Sequence, residues 1–229
     1  MMQKLTRRNF IVKSTKYFGV GLGALTTGGD IFMPRDSAAS DIHFPESSCG
    51  TEKGDNVRVL VAYASMYGST GGIAENIGQV LCRKGARVDV LQIKNIRETK
   101  DYHAIIVGSA IRSSKWLPEA LEFVETNIRA FRERPVAYFL SCLTLCRFNE
   151  TTLRKAKTFL NPVTEKVPEV KPLAIGLFPG VIDYSKMSFP IRMIMKRKMK
   201  QKDIQEGDYR NWASISAWAS SVHAKIVKA

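Results

Sequence analysis

Two rhythms of apolar and polar positions alternate along this chain, and each change of rhythm marks a change of local structure. Val57–Ala64 (VRVLVAYA) is an almost unbroken apolar, β-branched run of strand length, the pattern of a strand buried on both faces. From Thr70 the apolar residues recur instead at Ile73, Ile77, Val80 and Leu81, the spacing that gives a helix one core-facing stripe. Ala86–Ile93 and His103–Ser109 predict a second and a third strand, and Lys94–Tyr102 between them is too short and polar for a long helix. Pro118, suited to a first turn, opens a helix carrying Leu121, Val124 and Ile128. Pro135–Ser141 predicts a fourth strand, Thr151–Leu160 a helix, and Pro172–Phe178 the start of a fifth strand. Trp212, Ile215, Trp218 and Val222 mark the stripe of a final helix.

Strands that alternate with helices predict an α/β fold with a parallel sheet covered on both faces. Ligands of such sheets bind beyond the carboxyl ends of the strands, where the strand order reverses. Function is therefore expected in the loops after strands one, three and four.

The first forty residues follow a different logic. Thr6-Arg7-Arg8-Asn9-Phe10-Ile11-Val12-Lys13 follows the twin-arginine export pattern of paired arginines, a spacer, Phe, an aliphatic residue and a nearby Lys. A weakly apolar, Gly-rich stretch from Tyr17 to Phe32 and the small residues Ser37-Ala38-Ala39-Ser40 complete the order of an export signal. A short helix that happens to carry two arginines, or a retained anchor, is the other reading. Cys49 raises a lipoprotein reading, but Glu46-Ser47-Ser48 before it is a poor match to the aliphatic-small-small pattern required. The chain thus divides into a signal segment at 1–40, a polar linker at 41–55 and one domain at 56–229, whose location is expected to be periplasmic or at the cell envelope.

Charge changes the picture of the domain. The 229 residues carry a formal net charge of +14, and residues 1–40 hold six basic and two acidic residues, so the remainder keeps +10. A basic domain attracts nucleic acid, anionic lipid or acidic partners without choosing among them. The four cysteines form no CxxC pair and no metal-spaced cluster. Cys142 and Cys146 stand four apart at a strand end, where buried thiols are favoured over a disulfide. No run of eighteen apolar residues is present.

The loop after strand one carries the chemistry. Ser65-Met66-Tyr67-Gly68-Ser69-Thr70-Gly71-Gly72 runs from the strand into a helix, whose N-terminus offers unpaired N–H groups and positive dipole character to a phosphate. Ser65, Ser69 and Thr70 add hydroxyl donors, and Gly68 lets the backbone curl closely. Neither the nucleoside-triphosphate loop GxxxxGK[ST] nor the dinucleotide fingerprint GxGxxG occurs there. Simple Ser/Thr capping of a helix would also want these residues.

Ser65-x-Tyr67-Gly68-Ser69-Thr70 between strand and helix resembles the FMN-phosphate loop of flavodoxins, with Tyr67 replacing a middle hydroxyl residue. The run Asp101–Arg112 with Trp116-Leu117-Pro118, the segment Ile191–Lys200 and Asp208-Tyr209-Arg210-Asn211-Trp212 are similar to the branch that includes menaquinone-dependent protoporphyrinogen IX dehydrogenases. The likeness covers about residues 57–222. It implies a flavodoxin-like three-layer sandwich with a five-stranded parallel sheet of order 2-1-3-4-5. It implies FMN as cofactor, with the phosphate on Ser65–Thr70 and the isoalloxazine ring between the loops after strands three and four. Ser109-Ala110-Ile111-Arg112 would offer backbone groups and a cation, and Ser141-Cys142-Leu143-Thr144 would meet the polar edge of the flavin. Trp116 would stack on the ring or serve as a core aromatic. No catalytic side chain is assigned, because a flavin exchanges electrons without a protein acid or base.

After Phe178 the expected fifth strand is interrupted by a long segment from Pro179 to about Glu206. Within it Arg192, Lys196, Arg197, Lys198 and Lys200 are interspersed with Ile191, Met193, Ile194, Met195 and Met199. One reading is a solvated basic helix packed by its Met and Ile side chains; the other is a docking surface for anionic lipid or an acidic substrate. Nucleic acid is disfavoured, since no recognised motif accompanies the cations. Three functions follow: an FMN-dependent oxidoreductase passing electrons toward a quinone, a flavodoxin-type electron carrier, and a binding module that has lost its flavin. The basic domain favours the first over the second, whose relatives are generally acidic, and the largely intact loop speaks against the third.

Overall fold

The computed structural model describes residues 42–50 and 57–229. Arg7, Arg8 and the small residues at 37–40 lie outside the described residues, and so does the export reading that rests on them.

The central sheet is built from β2 (Arg58–Ala64), β3 (Arg87–Gln92), β4 (Ala104–Arg112), β6 (Val136–Cys142) and β7 (Ala174–Pro179). All neighbouring pairs among these five are parallel, in the order β3-β2-β4-β6-β7, which is the expected 2-1-3-4-5. Side chains alternate across the strands, so each face receives half of them. One face packs Leu60, Ile105, Val107 and Leu140 against α2 (Pro118–Thr126), α3 (Ile128–Glu133), α4 (Glu150–Thr158) and α5 (Asn161–Lys166). The other packs Val59, Val61, Val90, Ile106 and Phe139 against α1 (Ser69–Arg83) and α7 (Trp212–Ile226).

Four local departures from the pattern have physical causes. Part of the expected linker is a strand, β1 (Ser47–Cys49), which pairs antiparallel with β3 and covers an edge that would otherwise expose unpaired backbone groups. Asp89 ties that edge together by accepting hydrogen bonds from Ser48, Tyr102 and Arg58. The helix expected over 151–160 is α4, and an unexpected short helix, α5, follows it as a separate element, because Pro162 stands in the first turn of α5 and cannot continue the ladder of α4. Strand β4 outruns its expected end at Ser109 and turns back as β5 (Lys115–Trp116) through Ser113 and Ser114, both with positive φ. In α7, Ile215 and Val222 are buried as expected, whereas Trp212 is 40% exposed beneath the Arg210 guanidinium.

The late segment forms β8 (Val181–Ile182), α6 (Phe189–Gln201) and β9 (Gly207–Asp208), with β8 and β9 paired as a small antiparallel ribbon. All four cysteines are free thiols. No helix among the described residues is long and apolar enough to cross a membrane, and no group of three or more potential metal ligands occurs among them.

Candidate functional site

Strand register brings the three expected loops to one rim. Ala64 stands opposite Ser109, and Ala110 opposite Ser141, so β2, β4 and β6 end side by side. The candidate phosphate loop begins at Ser65, where the chain leaves β2, and turns at Gly68 into the helix start. Gly68 takes φ +80°, and a Cβ there would stand 2.6 Å from the His43 carbonyl oxygen, so only glycine makes this turn without strain. Gly68 is also the N-cap of α1. It supplies no side-chain cap, and no acidic residue occupies the first turn. The first N–H groups of the helix therefore lack the side-chain partner that Ser, Asn or Asp would give, the condition that favours an anionic ligand. Thr70 is buried, at 1% exposure, while Ser65, Met66, Tyr67 and Ser69 are half-buried at the loop surface.

The Ser69 and Ser141 hydroxyl oxygens lie 3.4 Å apart and join the loop after β2 to the end of β6. Gly180, just after β7, closes over this pair; a Cβ on it would reach within 3.0 Å of Ser141 Oγ and 3.1 Å of Ser69 Oγ. Cys142 is buried, and its thiol is pushed up to about 11 by that burial, which outweighs the hydrogen bonds it accepts from Leu145 and Thr144. It is thus a neutral thiol at neutral pH. Leu143 and Thr144 are half-buried in the 3-10 turn that follows.

Strand β4 contributes less side chain than expected. Ser109 is fully buried and spent on structure: its hydroxyl donates to the Ala110 carbonyl and accepts from the Leu117 N–H, pinning the β4–β5 hairpin. Ala110 and Ile111 are half-buried, and Arg112 is exposed at the hairpin. Trp116 is not at the rim. It is 2% exposed and meets Tyr138 edge-on at 5.9 Å between centroids, so it takes the core alternative. Its indole Nε1 and the Tyr138 hydroxyl are both buried without a hydrogen-bond partner.

Two features of this rim escaped the sequence. The late segment packs on it: Ile182, Tyr184, Met187 and Met199 form a small core against which Tyr67, Leu143 and Cys146 rest. Arg210 also reaches the loop, with Nη1 3.5 Å from the Ser69 carbonyl oxygen, while its Nε and Nη2 fork onto Asp208. Burial works against the Asp208 carboxylate, but the Arg210 fork outweighs it and holds its pKa below the ordinary range. The distance of 141 residues between Ser69 and Arg210 hides this contact from any local pattern. Beside them a cleft of about 470 Å³ is lined by His43, Glu75, Lys186, Arg210 and Trp212 together with the loop residues Tyr67, Gly68 and Ser69. The cleft flanks the loop after β2 on the α7 side, and its lining includes none of the β4 or β6 loop residues.

An uncapped helix start and converging hydroxyls, on a sheet of this order, suit a phosphate-bearing cofactor at the strand ends. A sequence profile of the flavodoxin domain matches residues 60–208. The chain belongs to the flavodoxin domain family. It is similar to the protoporphyrinogen IX dehydrogenase (quinone) of Escherichia coli K12, at 21% identity over 173 residues, covering 72% of this chain and 94% of that protein. The counterpart from Escherichia coli O157:H7 matches with the same figures. Among solved structures, a flavodoxin from the domain Archaea has 20% identity and a TM-score of 0.47, covering 74% of this chain and 99% of its own. Oxidised Flavodoxin 2 from Bacillus cereus has 21% identity and a TM-score of 0.48 over the same shares. The family assignment rests on the profile and agrees with the strand order.

The donor set fits FMN at its phosphate end. The Ser69, Thr70 and Gly71 backbone N–H groups and the Ser65, Ser69 and Thr70 hydroxyls are the groups that would hold the phosphate, and the nearby Arg210 guanidinium would add positive charge.

Proposed function

We propose that this protein is an FMN-dependent oxidoreductase that passes electrons between a reduced substrate and a quinone-type acceptor. The observation that carries the reading is the start of α1: Gly68 in the left-handed region, no capping side chain, no acid, and hydroxyls on either side. Bound FMN would supply the electron exchange. The protein's own residues would bind the phosphate at Ser65–Thr70 and present the β4 and β6 loops to the ring, through Ala110, Ile111, Leu143 and Thr144. Cys142, neutral and buried, offers no nucleophile to compete with the flavin.

The quinone acceptor is supported by the similarity to the protoporphyrinogen IX dehydrogenases (quinone) of Escherichia coli. A basic domain also suits an acidic reduced substrate better than the basic partners met by acidic electron carriers. The test is anaerobic: the flavin-loaded protein is reduced chemically, mixed with a soluble quinone, and followed by flavin absorbance. Rapid, stoichiometric reoxidation is expected. A flavin that stays reduced in excess quinone would refute the acceptor.

From Arg7 and Arg8 we further propose export by the twin-arginine route, which carries proteins already folded around their cofactors.

A further inference from the structure

The late segment decides between its two sequence readings by how it buries its side chains. Helix α6 is held to the body along one side, through buried Met199 and half-buried Met195 against Ile182, Tyr184 and Met187. Arg192 donates to the Met187 carbonyl, and Lys196 lies 5.3 Å from the Tyr184 ring centroid. The remaining apolar residues do not pack. Phe189 is 70% exposed, Met193 57%, Ile194 55%, and Ile191 also faces water. Eight large apolar side chains are exposed among the described residues, and half of them lie in this one helix of thirteen residues. A helix packed by its Met and Ile residues would show the reverse.

The outward strip is divided along its length. At 100° per residue, Phe189, Pro190, Met193 and Ile194 occupy the outer side of the N-terminal half, and Arg197, Lys198 and Lys200 that of the C-terminal half. We propose that α6 docks this protein on an anionic lipid bilayer, its apolar half seated among the upper acyl chains and its cationic half on the headgroups. Charge argues for this occupant. The helix contains no Asp or Glu, so a second copy meeting the same face would set cation against cation. A polyanion such as nucleic acid would pair with the cations and leave the apolar half in water. An interfacial helix needs both halves. The same small core that carries α6 touches Tyr67 and Leu143, so docking would bring the candidate site close to the bilayer. In the reading proposed above, a lipid-dissolved quinone would then be near at hand.

The test is co-sedimentation of the full chain with vesicles of phosphatidylcholine alone and of phosphatidylcholine mixed with phosphatidylglycerol. Each cation near such a surface is worth about a fivefold change in partitioning. Binding is therefore expected on the mixed vesicles, weakening steeply between about 0.05 and 0.5 M salt as screening grows. The variant Arg197→Gln/Lys198→Gln/Lys200→Gln should bind at least ~10-fold more weakly. The variant Met193→Ser/Ile194→Ser should also bind several-fold more weakly while keeping the salt dependence. Phe189→Trp should shift its emission to the blue on mixed vesicles. Thermal melting of each variant checks that the fold is kept, and the exposed positions predict unchanged midpoints. Three outcomes overturn the proposal: no binding to mixed vesicles, a cation variant equal to wild type, or an apolar variant that binds as wild type does. A dimer in solution that Met193→Ser/Ile194→Ser dissolves would assign the face to a second copy instead. None of these readouts involves flavin, so the result stands apart from the test of the redox reading.

Discussion

Asp89 is the residue through which the outer edge of the sheet responds to pH. Burial alone would raise its pKa, but hydrogen bonds from Ser48, Tyr102 and Arg58 outweigh that cost and hold it below the ordinary range. The pair with Arg58 is partly solvent-exposed and modest in value, so the larger share lies in the shared hydrogen bonds that join β1, β2 and the segment after β3. A carboxylate whose folded pKa is depressed stabilises the fold above its unfolded value of about 4, and that contribution is lost as pH falls through the folded value. Asp89→Asn should therefore cost about 1–2 kcal/mol at pH 7. Urea titrations of wild type and variant should converge as pH is lowered below about 4. A gap that persists unchanged into acid would mean that the carboxylate charge is not what matters.

At the scale of elements, the N-terminus of α1 carries the functional argument, and its hydroxyls can be tested directly. Ser69→Ala and Thr70→Ala should each weaken FMN binding by about 1 kcal/mol, or roughly fivefold, and more where the bond is to a charged oxygen. Equal affinity across wild type, both single variants and the double variant would remove this loop from the site. The elements themselves were legible where pattern and burial coincide. β2, β4 and β6 are buried on both faces and show as apolar runs, and α1 shows as an Ile73–Ile77–Leu81 stripe. The loop Ser65–Thr70 was legible because turn, hydroxyls and helix start are consecutive in the chain. What was hidden depended on distant parts. β1 is three residues whose reason to be a strand is the open edge of β3. Trp116 sits near a candidate loop in sequence, yet its bulk is buried against Tyr138. The covering of Tyr67 and Leu143 by the late segment, and the approach of Arg210 to Ser69, arise only when the fold brings chain ends and strand ends to one rim.

The whole molecule combines a flavodoxin-like fold with strong positive charge, and both bear on the proposals for where and how it works. The export proposal belongs to this scale. Replacing Arg7 and Arg8 together by Lys should leave a fused reporter inside the cell, whereas full export of that variant would point to another route. The central claim is that the rim formed by β2, β4 and β6 holds FMN by its phosphate. The most direct measurement compares FMN with riboflavin, which carries the same ring without the phosphate, by fluorescence titration of the flavin-free protein. At least two charge-assisted hydrogen bonds from the start of α1, each worth about 1.5–3 kcal/mol, predict that FMN binds at least ~100-fold more tightly than riboflavin, at one per chain. Equal affinity for the two flavins, or failure to bind either, would contradict the account.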